Sequence, residues 1–379
     1  MKDENFYDCA IIGGGLGGLS LAIKLSQQGH AVILFEKETY PFHKVCGEYI
    51  SMESWNYLEQ LGLPLNEMQL PLIKKLIVSA PNGNELKHDL PLGGFGISRY
   101  KIDDALKTIA LESGVNLLEN CKAEDAIFKN DHFEITSSKG NFKSKVCCGS
   151  FGKRSNIDIK WKRDFVQRSP NKLNNFIAVK YHIQTSFPAD TIVLHNFKKG
   201  YCGMSKIEDD KYCLCYLTNA ANLKESNNSI DEMERNILSQ NQHLKNIFLN
   251  CKKLYRTPLS ISQISFQQKT AVENNVLMIG DAAGLITPLC GNGMSMAMHA
   301  GKIASIYIDE FLNAKISRDQ METNYSKEWK QTFGKRLQTG RIIQRFFGKI
   351  WVTNLFVGVM KRLPALTNMI IKKTHGDAF

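Results

Sequence analysis

The chain has no Cys-x-x-Cys pair and no zinc-type ligand spacing. It also lacks an internal repeat, a long low-complexity stretch, and any apolar run approaching the ~20 residues that cross a bilayer. These absences argue against a zinc module, a solenoid and a membrane-crossing helix. The ten cysteines stand alone or as Cys147-Cys148 and Cys213-x-Cys215, arrangements that suit small buried hydrophobes. No metal is therefore expected, and a reducing cytoplasm is the expected location. The segment Met1–Phe6 is too short and too acidic to read as a signal peptide. At 379 residues, with 43% apolar and 22% charged side chains, the chain falls in the range of folded proteins of about two domains.

Two glycine-rich segments carry most of the information. In the first, the apolar run ending at Ile12 is followed by Gly13, Gly15 and Gly18 at G-x-G-x-x-G spacing. Leu19, Leu21, Ala22, Ile23 and Leu25 then recur at helical spacing. Gly13 permits a tight turn, Gly15 clears space for a pyrophosphate, and Gly18 lets helix and strand pack closely. The amides and dipole at the helix start favour phosphate. Residues 31–35 read as the next strand, ending at Glu36 and Lys37, where the acid is placed to accept from ribose hydroxyls. This pattern alone does not separate NAD from FAD.

The second segment is Val276–Ile279, an apolar strand, followed by Gly280-Asp281-Ala282-Ala283, Pro288, Gly291, Asn292, Gly293 and Met294. From Gly280 to Gly293 it resembles the flavoprotein group of aromatic-ring hydroxylases, geranylgeranyl reductases and flavin halogenases. The resemblance implies that Asp281 binds the ribityl chain of FAD and that Pro288 to Gly293 cross the flavin ring. A helix starting near Met294 would then aim its positive end at the pyrimidine side. It also implies an α/β fold: a Rossmann-like FAD-binding domain, an inserted antiparallel-sheet substrate domain and a C-terminal helical segment. Lys44-Val45-Cys46-Gly47-Glu48 falls where the reductases carry Pro-Cys-Gly-Gly, and Arg99 with Asp103 resembles an Arg-led helix start that touches FAD. Phe151 replaces an acid found in many members, which puts their NADPH contact in doubt here.

The expected division gives residues 1–70, 96–165 and 266–320 to the FAD domain. The substrate sheet takes 71–95 and 166–265, and a basic helical region takes 321–379. Strands are expected at 74–79, 177–184, 191–197, 200–206 and 212–217. Ile177, Val179, Tyr181 and Ile183 alternate as if one face covered a pocket. From Lys330 onward there are ten Lys or Arg and one acid, Asp377. Arg341, Arg345 and Lys349 oppose a stripe of Ile342, Ile343, Phe346, Phe347, Ile350 and Trp351. Such a helix either lies in the headgroup layer of an anionic membrane, at its inner face, or packs its stripe on the FAD domain. No nucleic-acid module is present, so the expected partner is a hydrophobic small molecule.

Candidates beside the ring are Cys46, Glu48 and Tyr49, with Cys290 close by and His43 and His299 holding weaker claims. Glu48 would serve as an acid or base if an apolar pocket raised its pKa; the alternative is a carboxylate capping a helix or paired with Lys44. The resemblance implies an enzyme using FAD, with NAD(P)H as transient electron donor. A monooxygenase acting on a phenolic or lipid-like compound is slightly favoured. A reductase of carbon–carbon double bonds and a non-catalytic, membrane-associated electron carrier are the alternatives. The missing W-x-W-x-I-P argues against a halogenase. Gly284 leans toward the reductases, and Glu48 and Tyr49 lean the other way.

Overall fold

A computed structural model describes residues 5–167, 174–287, 292–346, 349–363, 365, 367, 368, 371 and 376–379. Two sheets organise the described residues. The first is built from β1 (Phe6–Ile12), β2 (Val32–Phe35), β6 (Asn116–Leu118), β9 (Gly140–Gly149), β16 (Val272–Glu273) and β17 (Val276–Met278). Their order is β16-β17-β9-β1-β2-β6, parallel throughout except for the β16–β17 pair. A hairpin of β7 (Ala123–Lys129) and β8 (His132–Ser137) extends it from β9. The central strands are buried along their length, and helices pack against them. Those helices include α1 (Leu16–Gln27), α2 (Arg99–Glu112) and α6 (Gly293–Leu312), and the shared core runs from Cys9 to Leu337.

The second sheet contains β3 (Tyr49–Ser51), β4 (Leu72–Ser79), β5 (Glu85–Gly96), β10 (Asn174–Gln184), β11 (Thr191–Phe197), β12 (Gly200–Lys206) and β13 (Tyr212–Asn219). At its far edge lie β14 (Lys252–Lys253) and β15 (Leu259–Ser265), both against β10. The order is β14-β10-β13-β12-β11-β4-β5-β3, antiparallel apart from the parallel β4–β11 pair. The odd-numbered residues of β10 do not face a pocket. Ile177, Val179, Tyr181 and Ile183 pack with Met233, Ile237, Leu238 and Leu244. These come from the segment holding α3 (Ala220–Glu225), α4 (Ile230–Asn236) and α5 (Gln242–Asn250). Phe176, Ala178, Lys180 and His182 therefore point the other way, as the two-residue period of a strand requires.

The C-terminal region splits into two helices. α7 (Arg318–Phe346) lays Tyr325, Trp329, Phe333 and Leu337 into the first core. Its Gln344 side chain meets the Thr287 hydroxyl at 3.0 Å. α8 (Ile350–Arg362) instead packs Val357 and Met360 on Val78, Ala80 and Leu86 of the second sheet. α7 thus packs on the core of the first sheet, while the expected stripe is divided between the two helices. The side chains of Ile343, Arg345, Phe346 and Phe347 lie outside the described residues.

One buried group couples this fold to pH. His195 on β11 is 3% exposed, faces the Ser79 hydroxyl at 2.8 Å, and stacks on His243. Burial, with His243 adding to it, pushes its pKa down from 6.5 to about 3. The folded chain therefore holds His195 neutral while the unfolded chain takes up a proton below about pH 6.5. Stability is lost as pH falls from 6.5 toward 3, by about 2 kcal/mol at about pH 5. Urea midpoints at neutral and mildly acid pH are expected to converge in His195→Gln relative to the parent. An equal acid-induced drop in both proteins rejects the assignment.

Candidate functional site

The first glycine segment forms a cradle at the carboxyl end of β1. Gly13 takes φ +106°, and a Cβ there would lie 2.5 Å from the Ser150 carbonyl oxygen. Gly18 sits against the Gly13 carbonyl, so neither position has room for a side chain. At Gly15 the nearest neighbour of an added Cβ is the Arg99 guanidinium, 3.8 Å away; this is the open side that a phosphate needs. Glu36, 5% exposed, accepts from the amides of Gly14 and Glu38, each at 3.0 Å. Its carboxylate thus braces the turn. Lys37 is exposed and pairs with Glu38 at 3.5 Å, away from the cradle residues.

Cations converge on the same opening. Arg99 is held by a fork of two 2.7 Å bonds to Asp103, four residues on along α2. Lys44 reaches Asp103 at 3.0 Å, Glu36 at 3.9 Å and the Gly14 carbonyl at 3.4 Å. Burial pushes the Asp103 carboxyl up, yet Arg99 and Lys44 outweigh it and hold it below the ordinary value.

The second glycine segment arrives at this place. A Cβ on Gly280 (φ +62°) would lie 2.9 Å from the Ala297 methyl, and one on Gly17 would lie 2.8 Å from the Ala297 carbonyl. Both segments therefore close on the first turns of α6. Burial pushes the Asp281 carboxyl up, against the pull of Lys153, Lys269 and Arg99. Arg99 is thus within electrostatic reach of Asp281 and beside Gly15. Among the described residues, no group hydrogen-bonds the Asp281 carboxylate. Lys269 donates to the carbonyls of Asp281 (2.8 Å) and Lys153 (2.7 Å), and burial drops its pKa to about 8. An open face at Gly15 and an unpartnered acid at Asp281 fit the pyrophosphate and the ribityl chain of an FAD.

Gly293 starts α6, Asn292 is its N-cap residue, and Met294 is buried, while Pro288, Cys290 and Gly291 lie outside the described residues. Gly284 has a packing reason of its own, since a Cβ there would lie 2.9 Å from the Trp329 ring. It is therefore a poor guide to the reaction.

Glu48 departs from expectation. It is fully buried, and burial pushes its carboxyl up, but His182 and Lys180 outweigh that and hold it below the ordinary value. Its Oε1 accepts from the Arg99 amide at 2.8 Å and from the Lys180 ammonium; Oε2 accepts from His182 Nε2 at 2.5 Å. It caps the start of α2 from a distance and pairs with Lys180 rather than Lys44. The backbone at Glu48 has φ +55°, the left-handed region favoured by glycine, so the loop keeps a glycine-like bend under another side chain. Tyr49, the first residue of β3, packs with Ile73 and Leu90 instead. Cys46 is half-buried, and its carbonyl accepts from the Cys213 thiol at 3.2 Å.

Sequence reasoning missed the partners of Glu48. His182 Nδ1 lies 2.7 Å from the Tyr255 hydroxyl, which lies 3.0 Å from His43 Nε2. With neutral rings every bond can run one way: His43 to Tyr255, to His182, to Glu48. Lys180 and His182, two apart on a strand otherwise apolar, were the available signal. Glu48, His182 and Cys213 also lie close enough to hold an ion, but the Lys180 ammonium already neutralises this acid. His299 stands apart, stacked on the Phe379 ring at 4.1 Å. Beyond these polar groups the same side of β10 is apolar: Phe176, Ala178, Tyr201, Leu217, Phe266 and Leu285 pack together with Val45.

Comparisons with known proteins bear on the fold. Residues 11–45 match an NAD(P)-binding Rossmann-like domain. Conditioned medium factor receptor 1 of Dictyostelium discoideum is 24% identical over 373 residues, covering 91% of this chain and 71% of that one. A digeranylgeranylglycerophospholipid reductase of Methanosarcina acetivorans is 24% identical over 363 residues, covering 92% and 86%. Among solved structures, the flavin-dependent brominase Bmp2 superposes with TM-score 0.80 at 20% identity, covering 99% and 94%. A geranylgeranyl bacteriochlorophyll reductase-like protein of Thermoplasma acidophilum gives TM-score 0.77 at 16% identity, covering 97% and 96%. PqsL of Pseudomonas aeruginosa, described as a probable FAD-dependent monooxygenase, gives 0.71 at 16%, covering 92% and 99%. At these identities the structural likenesses speak for fold alone.

Proposed function

We propose that this chain is an FAD-dependent oxidoreductase, similar to geranylgeranyl reductases, flavin halogenases and aromatic-ring hydroxylases, and that it saturates carbon–carbon double bonds in the isoprenoid chain of a lipid. The observation that carries this reading is the apolar cluster of Phe176, Ala178, Tyr201, Leu217, Phe266 and Leu285, on the same side of β10 as Lys180 and His182. Three cations of the site are already paired: Lys180 with Glu48, and Arg99 and Lys44 with Asp103. Such a cluster favours hydrocarbon and offers little to a phenolate or carboxylate. The glycine-like bend at Glu48 adds support, because it removes the argument that this side chain sets the loop apart from the reductases. Reductases of prenyl lipids among the sequence relatives point the same way.

Gly13–Gly18, Arg99 and Asp281 would hold FAD, whose chemistry when bound is hydride delivery to carbon, with NAD(P)H as the proposed donor of electrons. Saturation also adds one proton to the second carbon. Beside an apolar cluster that proton needs a store, and Glu48 with Lys180 and His182 is one. The store is renewed through the Tyr255 hydroxyl and His43, both half-buried rather than sealed. Arg99 and Lys44 orient the cradle, and the second sheet excludes water.

The reading is tested by incubating chemically reduced holoenzyme, without oxygen, with a geranylgeranyl lipid and weighing the product. A gain of two hydrogens per double bond is expected. A gain of one oxygen that requires air supports hydroxylation, toward which the sequence leans, and overturns the proposal. No product under either condition leaves the electron-carrier reading.

A further inference from the structure

The outward face of α8 carries a line of large apolar side chains that the described residues leave in solvent. Trp351 is 68% exposed, Leu355 61% and Val359 37%, at successive fourth positions and therefore on one side of the helix. The opposite side is already committed, with Thr353, Val357 and Met360 buried against the second sheet. An ordinary surface helix shows a polar outer face, whereas this one is apolar on both. Lys349 stands exposed at one end of the line and Lys361 and Arg362 at the other, and no acid occurs between residues 349 and 363.

Like charges at both ends oppose pairing of this face with a second copy in either direction. A flat line of apolar side chains with cationic ends matches the boundary layer of an anionic bilayer. We propose that α8 docks the protein on such a bilayer, with Trp351, Leu355 and Val359 in the headgroup–acyl boundary. Lys349, Lys361 and Arg362 then face lipid phosphates. Leu194 packs against both the α8 contact and the apolar cluster beside Glu48, so one side chain links the docked helix to the proposed lipid site. That consequence rests on the lipid-substrate reading; the docking itself does not.

Flotation of the FAD-loaded protein tests it, using vesicles of phosphatidylcholine alone and with added phosphatidylglycerol. The parent protein is expected to float with the anionic vesicles, less so at high salt. Trp351→Glu/Leu355→Glu is expected to lose at least about tenfold of that binding while keeping its yellow colour and melting temperature. A parent that stays with neither vesicle, or a variant that floats equally well, overturns the proposal. So does a parent that runs as a dimer which the variant breaks, since the face would then pair copies. Because flotation uses no substrate, a floating protein without reductase activity defeats the functional reading and leaves the docking intact.

Discussion

Glu48→Ala is expected to cost about 3–5 kcal/mol of folding stability, because it strands an ammonium in the interior. Lys180 is fully buried, and among the described residues Glu48 is its one partner of opposite charge; it also donates to the Lys44 carbonyl at 3.1 Å. The same substitution removes the acceptor for the Arg99 amide at the start of α2 and for His182 Nε2. Against a total of about 5–15 kcal/mol for a typical domain, this is a large fraction. Glu48→Gln keeps the shape and one acceptor, so its loss should be smaller. Glu48→Gln with Lys180→Met should recover stability, since removing both charges abolishes the stranded one. Urea unfolding of the three variants orders them, and a Glu48→Ala protein within about 1 kcal/mol of the parent refutes the pairing. The double variant then separates stability from proton supply. Folded and yellow, it should turn over slowly with an altered solvent isotope effect if the His43–Tyr255–His182 chain feeds protons inward. A purely structural cluster would leave that effect unchanged.

The part of this site read most securely from the sequence was the part fixed by backbone geometry. Gly13, Gly15 and Gly18 announce themselves because few other residues tolerate the turn, the open face and the close approach seen there. The five expected strands of the second sheet were visible because alternation and turn residues are local signals. Alternation does not say which side of β10 meets the cofactor domain. That depends on where α3 to α5 fold back, a tertiary choice. Glu48 failed for a related reason. Its loop suggested a lone acid in an apolar pocket, but the groups that set its charge come from β10, more than 130 residues away. The tail pattern was read as one amphipathic helix because basic and apolar residues kept a common period across 341–351. The structure breaks that stretch and carries the free apolar line farther along, on α8.

Asp281→Ala is expected to weaken FAD binding by about 10–100-fold while leaving the fold of the cofactor-free protein intact. The reason is the unusual position of this acid. It is drawn by Lys153, Lys269 and Arg99 and yet hydrogen-bonds no described residue, so its carboxylate costs desolvation in the free protein without a returning contact. Losing a hydrogen bond to a charged acceptor removes about 1.5–3 kcal/mol, which gives that range of affinities. The cofactor-free variant should melt at or slightly above the parent, because a half-buried, unpaired charge is gone. The FAD-loaded variant should melt lower, because weaker binding stabilises less by mass action. Asp281→Asn retains an acceptor and should fall between the two. Titration calorimetry with FAD and paired melting curves make both comparisons. Affinity within about twofold of the parent would mean that Asp281 does not touch the cofactor. In that case the convergence of Gly17 and Gly280 on Ala297 would be a packing feature of α1 and α6 alone. A Gly15→Val control, which fills the open side beside Arg99 without touching Asp281, should reduce FAD binding by a separate route. Loss in that control with none in Asp281→Ala would confine the grip to the phosphate end.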